Sequence, residues 1–140
     1  MKTLWIVVFA IGCGGSKAAP KAENHDQHGQ MMPEVAKFHD ALSPRWHAAK
    51  GDKRMQDTCG AVPEFRSDAE ALAKAKAPGD AAAWTTKTQE LTDAVSALDA
   101  TCQSKDATAF ELAFQKVHES FHAVMEASGA GHEEHEKHAM

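Results

Sequence analysis

Tyrosine is missing from this sequence altogether, and tryptophan and cysteine occur three times each. Its longest apolar run, from Leu4 to Gly12, falls well short of the roughly 20 residues that a permanent membrane-spanning helix needs. There is no basic stripe: 15 Lys and Arg are outnumbered by 20 Asp and Glu, for a formal net charge of -5 with histidines neutral. That balance argues against a nucleic-acid partner. Nor is there a glycine-rich phosphate loop, a Ser-His-Asp order with a supporting motif, or a pair of carboxylates in an evident pocket. The residues therefore give no case for an enzyme. What is present is an alanine-rich composition dominated by helix formers, with few β-branched runs, and it predicts an all-α protein.

The two ends have a different character from the middle. Met1-Lys2-Thr3 followed by Leu4 to Gly12 places one positive charge before a short apolar run, the pattern of a signal peptide over residues 1–12. Ala10-Ile11-Gly12-Cys13 resembles a lipobox, in which the cysteine is lipidated and becomes the new N-terminus. The alternative is an ordinary cleaved signal with a spare cysteine. On the lipobox reading Cys13 anchors the chain to a membrane in the cell envelope. Gly14, with no Asp at that position, favours by analogy the outer membrane facing the periplasm. Residues 13–30 are small, polar and proline-containing, as befits a flexible tether. Residues 31–127 form the folded part, about 100 residues and so one core. Residues 128–140 form a tail rich in His and Glu.

Within the folded part, apolar residues recur at helical spacing in four blocks. The first carries Met32, Val35, Phe38, His39, Leu42 and Trp46, and the second Met55, Cys59, Val62, Ala69, Leu72 and Lys76. The third carries Trp84, Thr88, Leu91, Val95, Leu98 and Cys102, and the fourth Phe110, Phe114, Val117, Phe121 and Val124. Between them lie Gly51-Asp52, Pro78-Gly79-Asp80 and Ser104-Lys105-Asp106, each a stop followed by a start. Pro44 and the Gly60-Ala61-Val62-Pro63 stretch are expected to kink or interrupt their helices, because proline removes a donor and its ring clashes with the preceding turn. Short turns force neighbouring helices to alternate in direction, so the expected fold is an antiparallel up-down-up-down four-helix bundle.

Cys59 and Cys102 lie nearly symmetrically about the Pro78-Gly79-Asp80 turn, at about the same height on facing helices of such a hairpin. In an oxidising compartment a disulfide is the expected state; two free buried thiols or two metal thiolates are the alternatives.

The same height-matching applied to the outer helices brings His39 level with Glu119, between His118 and His122. Imidazoles at i and i+4 on one helix face hold a single ion when a facing helix supplies a third ligand, and copper, zinc and nickel all suit them. Alternatively, His39 is a satisfied core histidine and the other two are solvated. His25 and His28 precede the first helix, while His132, His135 and His138 follow the last, interleaved with Glu133, Glu134 and Glu136. Such tracts read compositionally as metal-binding. An even number of antiparallel helices would bring both tails out on the same side.

The fourth block reads Phe114-Gln115-Lys116-Val117-His118-Glu119-Ser120-Phe121-His122, late in an expected four-helix bundle that opens with Met31-Met32. In this it resembles the small periplasmic cytochrome b and cytochrome c-prime bundles. The resemblance implies a haem held by a histidine late in the last helix, opposed in the b-type by a methionine early in the first. By position that implies His122 as proximal ligand, Met32 or Met31 as distal ligand, and Phe38, Phe114 and Phe121 as pocket walls. The covalent attachment motif Cys-x-x-Cys-His is absent, its place taken by His118-Glu119-Ser120-Phe121-His122. Only noncovalent haem b is therefore implied.

Three functions follow as expectations. One is a lipoprotein whose bundle binds noncovalent haem through His122 for electron transfer or sensing. Another binds or handles a transition-metal ion through His39, His118, His122 and the tails, with a redox or metal-transfer protein as partner. The third is a structural or interaction module with no cofactor.

Overall fold

A computed structural model describes residues 31–130, and over them the chain is all-helical, with five helices and no strand. The expected signal peptide, Cys13, the tether, and the histidines at 25, 28, 132, 135 and 138 lie outside the described residues. The helices are α1 (Pro33–Trp46), α2 (Asp52–Gly60), α3 (Val62–Lys74), α4 (Ala81–Ser104) and α5 (Ala107–Ala127). Among the described residues no helix is long and apolar enough to cross a membrane.

Local chemistry accounts for most of the boundaries. α1 begins on Pro33, whose fixed φ suits a first turn and whose missing N–H would be unpaired there in any case. Glu34 in its first turn and Arg45 in its last complement the helix dipole. Asp80 caps α4 by accepting from the Ala83 N–H at 2.6 Å, and Asp106 caps α5 by accepting from Thr108 and Ala109, each at 2.9 Å. Between them Lys105 closes α4 in the left-handed conformation, at φ 56°. Asp52 does not cap α2 as the sequence suggested. Gly51 takes the N-cap position at φ 135°, a conformation that favours glycine, and Asp52 is the first helical residue, acting through its charge.

The second block is two helices rather than one. Pro63 has no N–H to continue the ladder, and the chain breaks at Ala61, whose N–H reaches back to the Thr58 carbonyl, at 3.0 Å. The break shifts the buried face. α2 turns Arg54 and Thr58 inward rather than Met55 and Cys59, which are partly buried at the core's edge. α3 buries Phe65 and Asp68 together with Val62, Ala69 and Leu72, and Lys76 lies exposed beyond its end. Pro44, by contrast, does not interrupt α1, which runs on to Trp46. In the last turn only one donor is lost, and the helix ends two residues later.

α4 makes its longest contact with α5 and its next with α3, while α1 lies mainly on α3 and also touches α5. Five phenylalanines, at 38, 65, 110, 114 and 121, are fully buried. Phe38 of α1 ties three helices together, with its ring 4.9 Å from Phe121 of α5 and 5.5 Å from Phe65 of α3. Phe38 and Phe114 are thus core residues. Two charges are buried with partners. Arg54 lies over Trp46 and Phe114, at 5.2 and 5.1 Å, with Glu111 at 3.8 Å. Asp68 meets the Lys37 ammonium at 2.7 Å, and that carboxylate raises the Lys37 pKa above its ordinary value.

Cys59, near the end of α2, and Cys102, near the end of α4, form a disulfide with Cα atoms 5.6 Å apart. The bond closes a sequence separation of 43 residues. Replacing both cysteines by serine should lower the unfolding free energy by about 4 kcal/mol in the chain-entropy model. Urea denaturation of the oxidised protein and the double variant measures this. A difference below about 1 kcal/mol would mean that the bond does not constrain the unfolded chain in that way.

Candidate functional site

Four histidines are among the described residues, and all four line one cavity of about 270 Å³. Two helix faces meet there, and each is drawn from the same arithmetic. α1 contributes His39, Leu42, Ser43 and Trp46, and α5 contributes His118, Phe121, His122 and Met125. In both helices these are positions i, i+3, i+4 and i+7, which lie along one side of a helix. His47, the C-cap of α1, closes the rim.

The core stripe of α5 explains where these residues stand. Phe114, Val117, Phe121 and Val124 are buried. His118, His122 and Met125 each follow one of them by a single residue, so they are carried to the flank of that stripe rather than into its centre. His118 and Met125 are partly buried there, and His122 is exposed. Phe121 belongs to both regions, being only 1% exposed yet part of the cavity wall.

His118 has the most constrained setting. Its ring stacks on the Trp46 indole with centroids 3.8 Å apart and planes 8° from parallel. Its Nε2 lies 3.1 Å from the Nε2 of His122, so that one imidazole donates a hydrogen bond to the other. Burial, then the neighbouring His122 and His47, push the His118 pKa down from 6.5 to about 4. Each cause penalises the imidazolium, and the ring is neutral across the ordinary pH range. Neutral imidazole is the form that ligates metals.

The spacing of the pair suits an ion. Two nitrogens each about 2.0–2.1 Å from one centre are about 2.9 Å apart at a right angle and about 3.4 Å apart at the tetrahedral angle. The observed 3.1 Å falls between these limits. His39 shares the cavity, with its ring centroid 6.3 Å from that of Phe121. Among the described residues, however, no three His, Cys, Asp or Glu side chains stand close enough together to hold an ion as a set.

Of the positions that the cytochrome resemblance implied, His122 and Phe121 line the cavity, whereas Met31 and Met32 pack against the core and do not. Trp46, His47 and Met125 were not among the site residues expected from the sequence. Met125 was within reach of helix counting, standing seven residues after His118 and three after His122. His47 lies one residue past the end of α1, where periodicity no longer applies.

Comparison with protein-family models, curated proteins and solved structures finds no match to this chain.

The geometry around His118 fixes an NMR titration. Its imidazole should titrate near pH 4, and His122→Ala should raise the midpoint by removing a like charge while leaving the effect of burial. Because the folded value lies below the ordinary one, the group's contribution to stability is whole above pH 6.5. It declines as the pH falls towards 4, where the unfolded chain binds the proton and the folded chain does not. A His118 midpoint above about 6 in the unsubstituted protein would contradict this account.

Proposed function

We propose that the protein binds one transition-metal ion of the copper, zinc and nickel class in the cavity between α1 and α5, through the imidazoles of His118 and His122. The observation that carries this reading is the 3.1 Å separation of two Nε2 atoms on one helix. It is supported by the neutrality that burial imposes on His118. The histidines at 25, 28, 132, 135 and 138 serve as collectors in the tails, and a metal-transfer protein is the partner. The chain is exported, held to the outer membrane by lipid on Cys13, and has no catalytic role.

The fold that goes with this reading is an antiparallel four-helix bundle, with α2 and α3 as one broken second helix. Contacts between α1 and α5 support it: Trp46 meets His118 and Phe114, while Phe38 meets Phe121. Positions late on one helix thus meet positions earlier on the other. The disulfide likewise links the broken helix to α4 across the turn between them.

Noncovalent haem on His122, as in the cytochrome b resemblance, is the second reading, favoured by the aromatic and apolar wall that Trp46, Leu42 and Phe121 give the cavity. Two features weigh against it. The cavity, about 270 Å³, is smaller than the 300–1,000 Å³ common for organic ligands. The methionine in its wall is Met125, on the same helix as His122, where it is poorly placed to oppose that histidine across a ring.

An absorption spectrum and elemental analysis of the purified protein, before and after haem addition, test both readings. The ion reading expects near-stoichiometric copper, zinc or nickel when the tail histidines are replaced by glutamine, and no Soret band that survives desalting. His118→Ala and His122→Ala should each weaken that binding at least tenfold, about 1.4 kcal/mol. A lasting Soret band that fades in His122→Ala would establish haem instead. Neither signal would leave a structural or interaction module as the function.

A further inference from the structure

We infer that the ion this cavity selects is cuprous copper, with the Met125 thioether as the third donor beside His118 and His122. The inference rests on the metal-ion reading above and names the ion and the missing ligand.

The argument starts from what the wall does not contain. No Asp, Glu or Cys lines the cavity, and no third residue of the His, Cys, Asp and Glu class is within ligating reach of the histidine pair among the described residues. A third protein donor would therefore come from another residue type in the wall. Trp46 offers only an N–H donor, and Ser43 a neutral hydroxyl. Met125 offers a thioether, and it stands on α5 at i+7 from His118 and i+3 from His122, on the same face. One rigid helix thus presents two imidazoles and a sulfur without help from a loop.

Two properties of that donor set point to one ion. Thioether sulfur is soft and selects monovalent copper over the harder divalent ions that imidazole alone accepts. All three donors are also uncharged. A divalent ion would bring two positive charges into a half-buried wall with no carboxylate or thiolate to offset them, whereas a monovalent ion brings one. Trp46 covers a face of the His118 ring at 3.8 Å, and Leu42 and Phe121 supply apolar wall, so on its inner side the site offers no charged group.

The test uses the full chain carrying Cys13→Ser and His25→Gln, His28→Gln, His132→Gln, His135→Gln and His138→Gln, so that only the cavity reports. Cuprous ion is titrated without oxygen against bicinchoninate as competing chelator, and Zn(II) is titrated separately. Binding of one cuprous ion is expected, with a sulfur neighbour in the copper X-ray absorption spectrum. Met125→Leu, a substitution close in volume, should weaken cuprous binding at least tenfold, abolish the sulfur signal and leave Zn(II) affinity within about twofold. Circular dichroism checks that the variant keeps its helices. An unchanged cuprous affinity in Met125→Leu, or a copper shell of nitrogen alone, would overturn the inference. If His118→Ala still loses binding in that case, the ion reading stands without it. Retention of no ion by the parent chain would overturn both.

Discussion

The stacking of Phe38 on Phe121 is the contact on which both the core and the cavity depend. It is made between α1 and α5 at 4.9 Å, and through Phe65 it extends to α3. Truncating either buried ring costs about 3–5 kcal/mol in cores of this kind, a large share of what a domain of this size has. The same contact sets the register of the two helices. With Phe38 on Phe121, the next residues along each helix, His39 and His122, fall beside the core rather than inside it, and the histidine-bearing flanks meet.

Trp46 does for the wall of the cavity what Phe38 does for the core behind it. It stacks on His118, meets Phe114 edge-on at 5.6 Å and lies under the Arg54 guanidinium, which is itself buried beside Glu111. A cation over an aromatic ring contributes about 1 kcal/mol or more when desolvated. Removing Arg54 would leave Glu111 without its partner and Trp46 without one of its neighbours. The setting of His118 therefore depends on a chain of contacts through Trp46 to Arg54 and Glu111, and not only on its own rotamer.

Much of this was legible in the sequence, and the failures are local. The stripes on α4 and α5 could be counted directly, since Leu91, Val95, Leu98, Phe110, Phe114, Val117, Phe121 and Val124 are all buried. So could the junctions at Asp80 and Asp106, whose side chains do cap. The pairing of Cys59 with Cys102 followed from their symmetry about a turn and survives the break at Ala61. The same break upset the second stripe in its first half: Val62, Ala69 and Leu72 are buried as counted, whereas Met55 and Cys59 lie at the core's edge. A helix restarted at Val62 need not keep the phase of the one before it: Arg54 and Thr58 point inward where periodicity chose Met55 and Cys59, and Phe65 and Asp68 are buried though not counted. A buried Arg or Asp cannot be read from pattern, because it depends on aromatic or charged partners far along the chain. Met125 escaped for another reason. Methionine at core spacing is ordinarily a gap-filler, and only the helix face it shares with two histidines gives it chemical meaning.

The donors in the cavity differ in kind from those in the tail. Glu133, Glu134 and Glu136 interleave with the tail histidines, so any ion held there meets carboxylates that offset its charge. The cavity wall has no carboxylate, and its His118 is kept neutral by desolvation and by its neighbours. Imidazoles are present in both places, so histidine content alone does not separate them; net donor charge and hardness do. On the proposed ion reading the α5 donors are spaced along one face of a packed helix, so the folded chain already holds their backbone in place. On that reading, net donor charge and softness both distinguish the α5 wall from the tail.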